Sequence, residues 1–248
     1  MKICVITLVY NDAERLPFFL RHYSVFADKI IVYYNIASTD RTLEILKSNP
    51  LVQIINYDTG GFFNEEMNQH IKNTAWKGLD ADWFIVCDSD EYLYFKHPTI
   101  GMRTYLGYFI NEKVYLPQVK GYQMIGDGAP KDDGKSQIYD LCKYGAYYEK
   151  VLDQYDHSSS KQILFHKGTN IVYGPGGHTF VTIGNFKIMA SDLKMLHYRY
   201  FSLPYILNYY KNTNINPKDE HSISWTKNKE HITKMYNWFY ARREKVIE

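Results

Sequence analysis

The feature that most constrains this chain is the alternation of apolar runs and capped, helix-periodic segments over its first ninety residues. "KICVITLV", "KIIVYY", "LVQIINY" and "DWFIVCD" are short, β-rich and continuously apolar. That is the signature of strands covered on both faces. Between them stand "NDAERLPFFLRHYSVF", "STDRTLEILKSNP" and "NEEMNQHIKNTAWKGL". In the first, Leu16, Phe19, Leu20 and Tyr23 recur at helical spacing, Asn11 and Glu14 form a capping-box pattern, and Pro17 falls in an early turn. Ser38, Thr39 or Asp40 caps the second. In the third, Glu65 and Glu66 suit the start, Met67, Ile71 and Ala75 make one face, and Gly78 suits the exit. Strand–helix alternation of this kind requires parallel βαβ units, so the expected class is α/β with a Rossmann-like, mostly parallel sheet flanked by helices.

In such sheets ligands bind beyond the carboxyl ends of the strands. Three of these ends are polar: Asn11-Asp12, Asn35 with Ser38 and Asp40, and Asp88-Ser89-Asp90-Glu91. The last is the most demanding. Like charges this close repel, and they need a cation, hydrogen-bond donors or water around them. Hard carboxylate oxygens suit magnesium or manganese with a diphosphate completing the shell. A solvated turn capping the next element is the structural alternative.

Beyond residue 95 the pattern shifts to shorter strands, some antiparallel: "KVYLPQV", "KQILFHK", "HTFVTIG", "NFKIMAS" and "LKMLHYRY". "GYQMIGDGAPKDDGKSQ" and "YDHSSSK" read as loops, "YGPGGH" as a tight turn, and two helices follow Ser202. The simplest organisation is one domain over 1–248 with two unequal halves, 1–95 and 96–200, followed by C-terminal helices at 201–248.

Composition excludes more than it identifies. The net charge of +2 is too small for a nucleic-acid footprint. Cys4, Cys87 and Cys142 are widely spaced and odd in number, which reads as reduced, buried thiols of a cytoplasmic protein. The apolar start reads as a core strand, and no run approaches membrane-spanning length. "MYNWFYARREK" mixes aromatics and cations as a peripheral membrane helix does, although an ordinary docked helix fits equally. The 24 tyrosines fit both an AT-rich coding bias and aromatic stacking on sugars or bases. No dinucleotide fingerprint, P-loop or nucleophile elbow follows any strand. His197 ends an apolar strand, where a histidine is more often a satisfied core residue than a ligand, though imidazole nitrogen suits manganese. His178 sits among glycines that permit close backbone approach but equally make a turn. His157 and His166 carry no signal.

Taken in order, "TLVYNDAERLPFFLRHY", "DKIIVYYNIASTDRTLEIL", "NEEMNQHIKNTAW", "ADWFIVCDSDEYLYF" and "LKMLHYRYFS" resemble the successive motifs of glycosyltransferase family 2-like proteins of the GT-A fold. The similarity is to the subgroup with a D-x-D-E strand end and a late His-Tyr motif. It covers nearly the whole chain and is weakest over 118–160. It implies a hexosyltransferase-type enzyme that moves a sugar from a nucleotide-sugar donor, a UDP-sugar first, to a glycan or lipid-linked acceptor, with inversion. On that resemblance Thr7, Asn11, Asp12, Asn35, Ser38, Asp40 and Asp88 belong to the nucleotide side. Asn35 stands where an aspartate is usual, and Ile36 replaces an asparagine. Asp88, Asp90 and His197 hold Mn2+ or Mg2+. Asp127, Asp140 and His178 are the candidates for the base, and Glu91 is a further catalytic candidate or orients the loop. The alternatives are a nucleotidyltransferase, which "VYNDAERL" disfavours because it is neither glycine-rich nor basic, and a non-catalytic carbohydrate-binding relative.

Overall fold

The computed structural model describes residues 1–128, 131–147, 161–184, 187–213 and 227–248. His157 and much of the "YDHSSSK" stretch lie outside these residues.

The four apolar runs are strands: β1 (Ile3–Val9), β2 (Lys29–Asn35), β3 (Val52–Tyr57) and β4 (Trp83–Val86). They pair in parallel in the order β3-β2-β1-β4, and β9 (Leu164–His166) adds antiparallel to β4. The strand order reverses at β1, so the crevice of a doubly wound sheet opens between the ends of β1 and β4. Helices α1 (Leu16–Tyr23), α2 (Thr42–Lys47) and α3 (Glu65–Thr74) make the crossovers. The expected α/β class with a mostly parallel, helix-flanked sheet is what the chain adopts.

α1 buries Leu16, Phe18, Phe19, Leu20 and Tyr23. Each such side chain stabilises by about 1.5–3 kcal/mol relative to exposure. The helix begins at Leu16, so Asn11 does not cap it. Asn11 takes a left-handed φ of 51°, and its Oδ1 accepts from Thr39 and Asp40 N–H (2.7 and 3.3 Å). The local bond to a distant loop displaced the capping box. Asp40 does help start α2, accepting from Thr42 N–H at 3.0 Å. On α3, Asn64 caps the start, Ile71 is buried and Met67 faces outward. Gly78, with φ of 77°, provides the left-handed exit.

A second, mixed sheet runs β14 (Glu244–Lys245), β8 (Tyr144–Ala146), β7 (Lys120–Ile125), β13 (Lys194–Tyr200), β5 (Glu91–Tyr94). The segment read as loop at 121–125 is therefore the central strand β7. Gly121 and Gln123 weakened its apolar signal, and Gln123 is satisfied by donating to the His197 carbonyl at 2.7 Å. The helix α4 (Met102–Asn111) also went unread, because its aromatics resemble strand composition; Leu106 and Phe109, three apart, are its buried face. The remaining strands are β6 (Val114–Pro117) with β12 (Lys187–Met189), and the hairpin β10 (Asn170–Tyr173)–β11 (Phe180–Ile183). α5 (Ile138–Leu141) is a single turn. Among the described residues two helices follow Ser202: α6 (Leu203–Asn212), which Ser202 caps, and α7 (Lys229–Arg242), whose Ile232, Met235, Tyr236 and Phe239 are buried. Among the described residues no helix is long and apolar enough to cross a membrane. All three cysteines are free and buried.

Candidate active site

The acidic segment connects the two sheets. β4 ends at Val86, and Glu91 already begins β5. Opposite Glu91 in the antiparallel β5–β13 ladder stands His197. Tyr198 N–H donates to the Asp90 carbonyl at 2.7 Å, extending that pairing into the turn. Along β13 a bulge sets His197–Tyr200 against Gln123–Ile125. Bulges of this kind re-aim side chains, and here Arg199 reaches the same carboxylate as His197.

Asp90 is almost completely buried. Its Oδ2 accepts from Arg15 (2.8 Å), and Arg199 Nε lies 2.9 Å from the same oxygen as an ion pair. Its Oδ1 lies 3.5 Å from His197 Nε2. Burial alone would raise this carboxyl's pKa, but Arg199, His197 and Arg15 hold it well below the usual range. Asp88 is engaged differently: Lys72 Nζ lies 2.7 Å from Oδ1 and Lys161 Nζ 3.2 Å from Oδ2. Burial raises this group too, and the two ammoniums outweigh it. Glu91 is buried, with Lys161 Nζ 2.5 Å from Oε1 and the Asp88 N–H donating to Oε2 at 3.0 Å. Asp12 pairs with Arg15 and accepts from Ser89 Oγ at 2.9 Å. Asp12, Asp88, Asp90 and Glu91 are thus matched by Arg15, Lys72, Lys161 and Arg199.

All of these groups except Glu91 line a cavity of about 390 Å³ at the ends of β1 and β4. Asn35, Tyr57 and Thr59 stand at its β2–β3 side, Phe62 and Phe63 at its rim, and Tyr209 and Tyr210 of α6 close the other side. The Asn35 amide donates to Thr59 Oγ1 (2.8 Å) and accepts from Ala37 N–H (3.1 Å). The guanidinium carbons of Arg15 and Arg199 lie 4.8 and 4.9 Å from the Tyr209 ring centre.

His178 also lines the cavity. Its turn is held by α3: Gln69 and Asn73 donate to the Tyr173 carbonyl (2.9 and 3.0 Å), and Gly176 N–H donates to Glu65 Oε1 at 2.5 Å. Gly176 has φ of +64°, and a Cβ there would meet the His178 ring at 2.8 Å. Only glycine fits this turn without displacing the imidazole.

Of the residues expected from sequence, Asp12, Asn35, Asp88, Asp90, His178 and His197 line the cavity, and Glu91 lies beneath it. Thr7, Asn11, Ser38 and Asp40 do not line it. Thr7 is fully buried within β1, while Asn11, Ser38 and Asp40 tie the loop after β1 to the loop after β2. Asp127 and Asp140 are also elsewhere. Asp127 accepts from Tyr240 OH at 3.1 Å, and Asp140 accepts from Gln137 N–H at 3.0 Å as a helix cap. A residue's place in a loop does not say which way the loop leads. The basic groups went unread. Arg199 had a signal, standing two residues after His197 on one strand face; Lys72 and Lys161 had none.

Among the described residues, donor atoms of Asp90, Glu91 and His197 converge within 4.8 Å of one another. Asp90 Oδ1 and His197 Nε2 are both buried and without a hydrogen-bond partner. A small divalent ion bonds such atoms at about 2.0–2.2 Å, so a pair 3.5 Å apart fits two ligands of one ion. Asp88, with both oxygens on lysines, stands outside this group.

No protein-family model matches the sequence, and no curated protein matches it either. Among solved structures, S. aureus TarS 1–349 has a TM-score of 0.43 at 14% identity, over 96% of this chain and 71% of that chain. The same fragment in complex with UDP-GlcNAc also scores 0.43 at 14% identity, over 96% and 72%. Glucosyl-3-phosphoglycerate synthase from Mycobacterium tuberculosis, in complex with Mn2+, UDP and glucosyl-3-phosphoglycerate, scores 0.32 at 16% identity, over 49% and 44%. Likeness at this level carries no functional weight.

Proposed function

We propose that this chain is a metal-assisted glycosyltransferase that moves a sugar from a nucleotide-sugar donor, a UDP-sugar first, to a glycan or lipid-linked acceptor, with inversion. The observation that carries the reading is the Asp90–His197 pair. Two buried, unpartnered ligand atoms meet at 3.5 Å on the wall of a cavity at the switch point of a doubly wound sheet. The pair belongs to the D-x-D-E and His-Tyr motifs by which the sequence resembles family 2-like glycosyltransferases.

Asp90 Oδ1 and His197 Nε2 would hold Mn2+ or Mg2+, with Glu91 nearest as a third donor. When bound, the ion would supply Lewis-acid stabilisation of charge gathering on the departing diphosphate. Arg15 and Arg199 keep Asp90 ionised and fix its rotamer. Glu91, with Lys161 on one oxygen and the Asp88 N–H on the other, sets the shape of the turn and does not act as base. His178 takes the acceptor hydroxyl's proton. It is the one of the three base candidates that lines the cavity, and an imidazole nitrogen can accept a proton. Asn35, Tyr57 and Thr59 flank the nucleoside.

Calorimetry with Mn2+ and UDP tests the reading: coupled binding is expected. Failure of every nucleoside diphosphate to bind with metal present would overturn it. A panel of nucleotide sugars, read by donor hydrolysis, then assigns the donor.

A further inference from the structure

Among the described residues, each of the four inner carboxylates, Asp12, Asp88, Asp90 and Glu91, is matched by a cation. The four cations differ in freedom. Arg15 and Arg199 share one oxygen of Asp90, Arg15 also binds Asp12, and both lie against the Tyr209 ring. Planar guanidiniums held by fixed partners on several sides do not turn easily. Lys72 and Lys161 carry point charges on flexible stems, and they share one carboxylate, Asp88, from opposite sides. Asp88 is also the carboxylate that water reaches: its side chain is 27% exposed, against 1% for Asp90 and Glu91. The two ammoniums arrive from separate elements, α3 and the segment before β9, and both line the cavity.

We propose that Lys72 and Lys161 form a diphosphate anchor that works without the divalent ion. Both ammoniums turn from Asp88 to the phosphate oxygens of the donor. The anchor rests on the nucleotide-sugar reading above, and it adds a second means of holding the same group. An ammonium–phosphate contact trades one charge-assisted hydrogen bond for another and leaves Asp88 exposed to solvent. Lys161 keeps Glu91 as a partner throughout.

The test is UDP binding by calorimetry in EDTA and, separately, in Mn2+, for the wild type, Lys72→Met, Lys72→Arg and Lys161→Met, with inorganic pyrophosphate as a second probe. Binding is expected in EDTA. Lys72→Met should weaken it about tenfold or more, the value of one charge-assisted hydrogen bond, and reduce its salt dependence; Lys72→Arg should retain most of it. Pyrophosphate should follow the same order, which separates phosphate recognition from base recognition. Lys161→Met leaves Glu91 buried without its cation, so its folding is checked by urea titration, and Lys72→Met carries the test where that variant fails to fold. Equal EDTA-state affinity in Lys72→Met and wild type overturns the anchor. So does binding that appears only with Mn2+, which leaves the transferase reading standing. No binding in either condition overturns both.

Discussion

His22 makes the stability of this fold pH-dependent in a defined window. It lies on α1 with its ring packed against Tyr23, Phe26, Tyr92 and Tyr139, and its Nε2 is 3.0 Å from the Leu93 carbonyl on β5. It therefore joins the helix that follows Arg15 to the strand that begins with Glu91. Burial lowers its pKa from the ordinary 6.5 to about 4, only partly opposed by the bond to Leu93. Between these two values the unfolded chain binds the proton that the folded chain refuses. Stability from this residue is fully present above about pH 6.5 and is lost as pH falls toward 4. At roughly 1.4 kcal/mol per pH unit, the interval is worth about 3 kcal/mol. With a urea slope of about 3 kcal/mol per molar, the midpoint should fall by about 1 M. The assay is urea unfolding from pH 7.5 to 4.5 for wild type and His22→Gln, which keeps a donor for Leu93 but does not titrate. The variant should start lower and lose much less on acidification. Parallel curves for the two proteins would refute the assignment.

Three further outcomes are expected. Asp90→Asn should abolish Mn2+-dependent transfer and, by leaving Arg15 and Arg199 without their shared charge, lower stability by about 3–5 kcal/mol in urea; full activity would remove the metal role. His197→Ala should weaken Mn2+ binding at least about tenfold with little loss of fold, and an unchanged Mn2+ titration would return this residue to a packing role. Gly176→Ala should cost about 1–3 kcal/mol through its left-handed φ and lower kcat by moving His178, while Asp127→Ala should leave kcat within about twofold; the reverse order would move the base to Asp127.

The parallel half of the fold was legible because each strand is an apolar run that no helix period explains, and the α3 crossover carries both a cap, Asn64, and a left-handed exit, Gly78. The carboxylate turn was legible for the same reason: a buried strand fixes where its own end must lie. β7 was not legible, because its identity as a strand comes from neighbours on both sides, β8 and β13, and its buried Gly121 and Gln123 carry little apolar signal. His197 could be joined to Asp90 only through motif order, since neither residue's local sequence points to the other. Lys72 and Lys161 illustrate the limit most sharply. Each looks like an ordinary surface lysine in its own segment, and only the tertiary fold brings both to Asp88.

The pairing of Glu91 with His197 has a kinetic consequence. Two residues more than a hundred positions apart become neighbours only when β13 docks against β5 in one register. A slip of one residue would turn His197 to the opposite face of the sheet. Closing so long a loop is entropically slow, and non-local pairing of this kind retards folding. Like the β1–β4 pairing, which joins Ile3 to Trp83, the ion-binding pair forms only when a long loop has closed. Mn2+ that binds the docked pair should shift the folding equilibrium toward the docked strand.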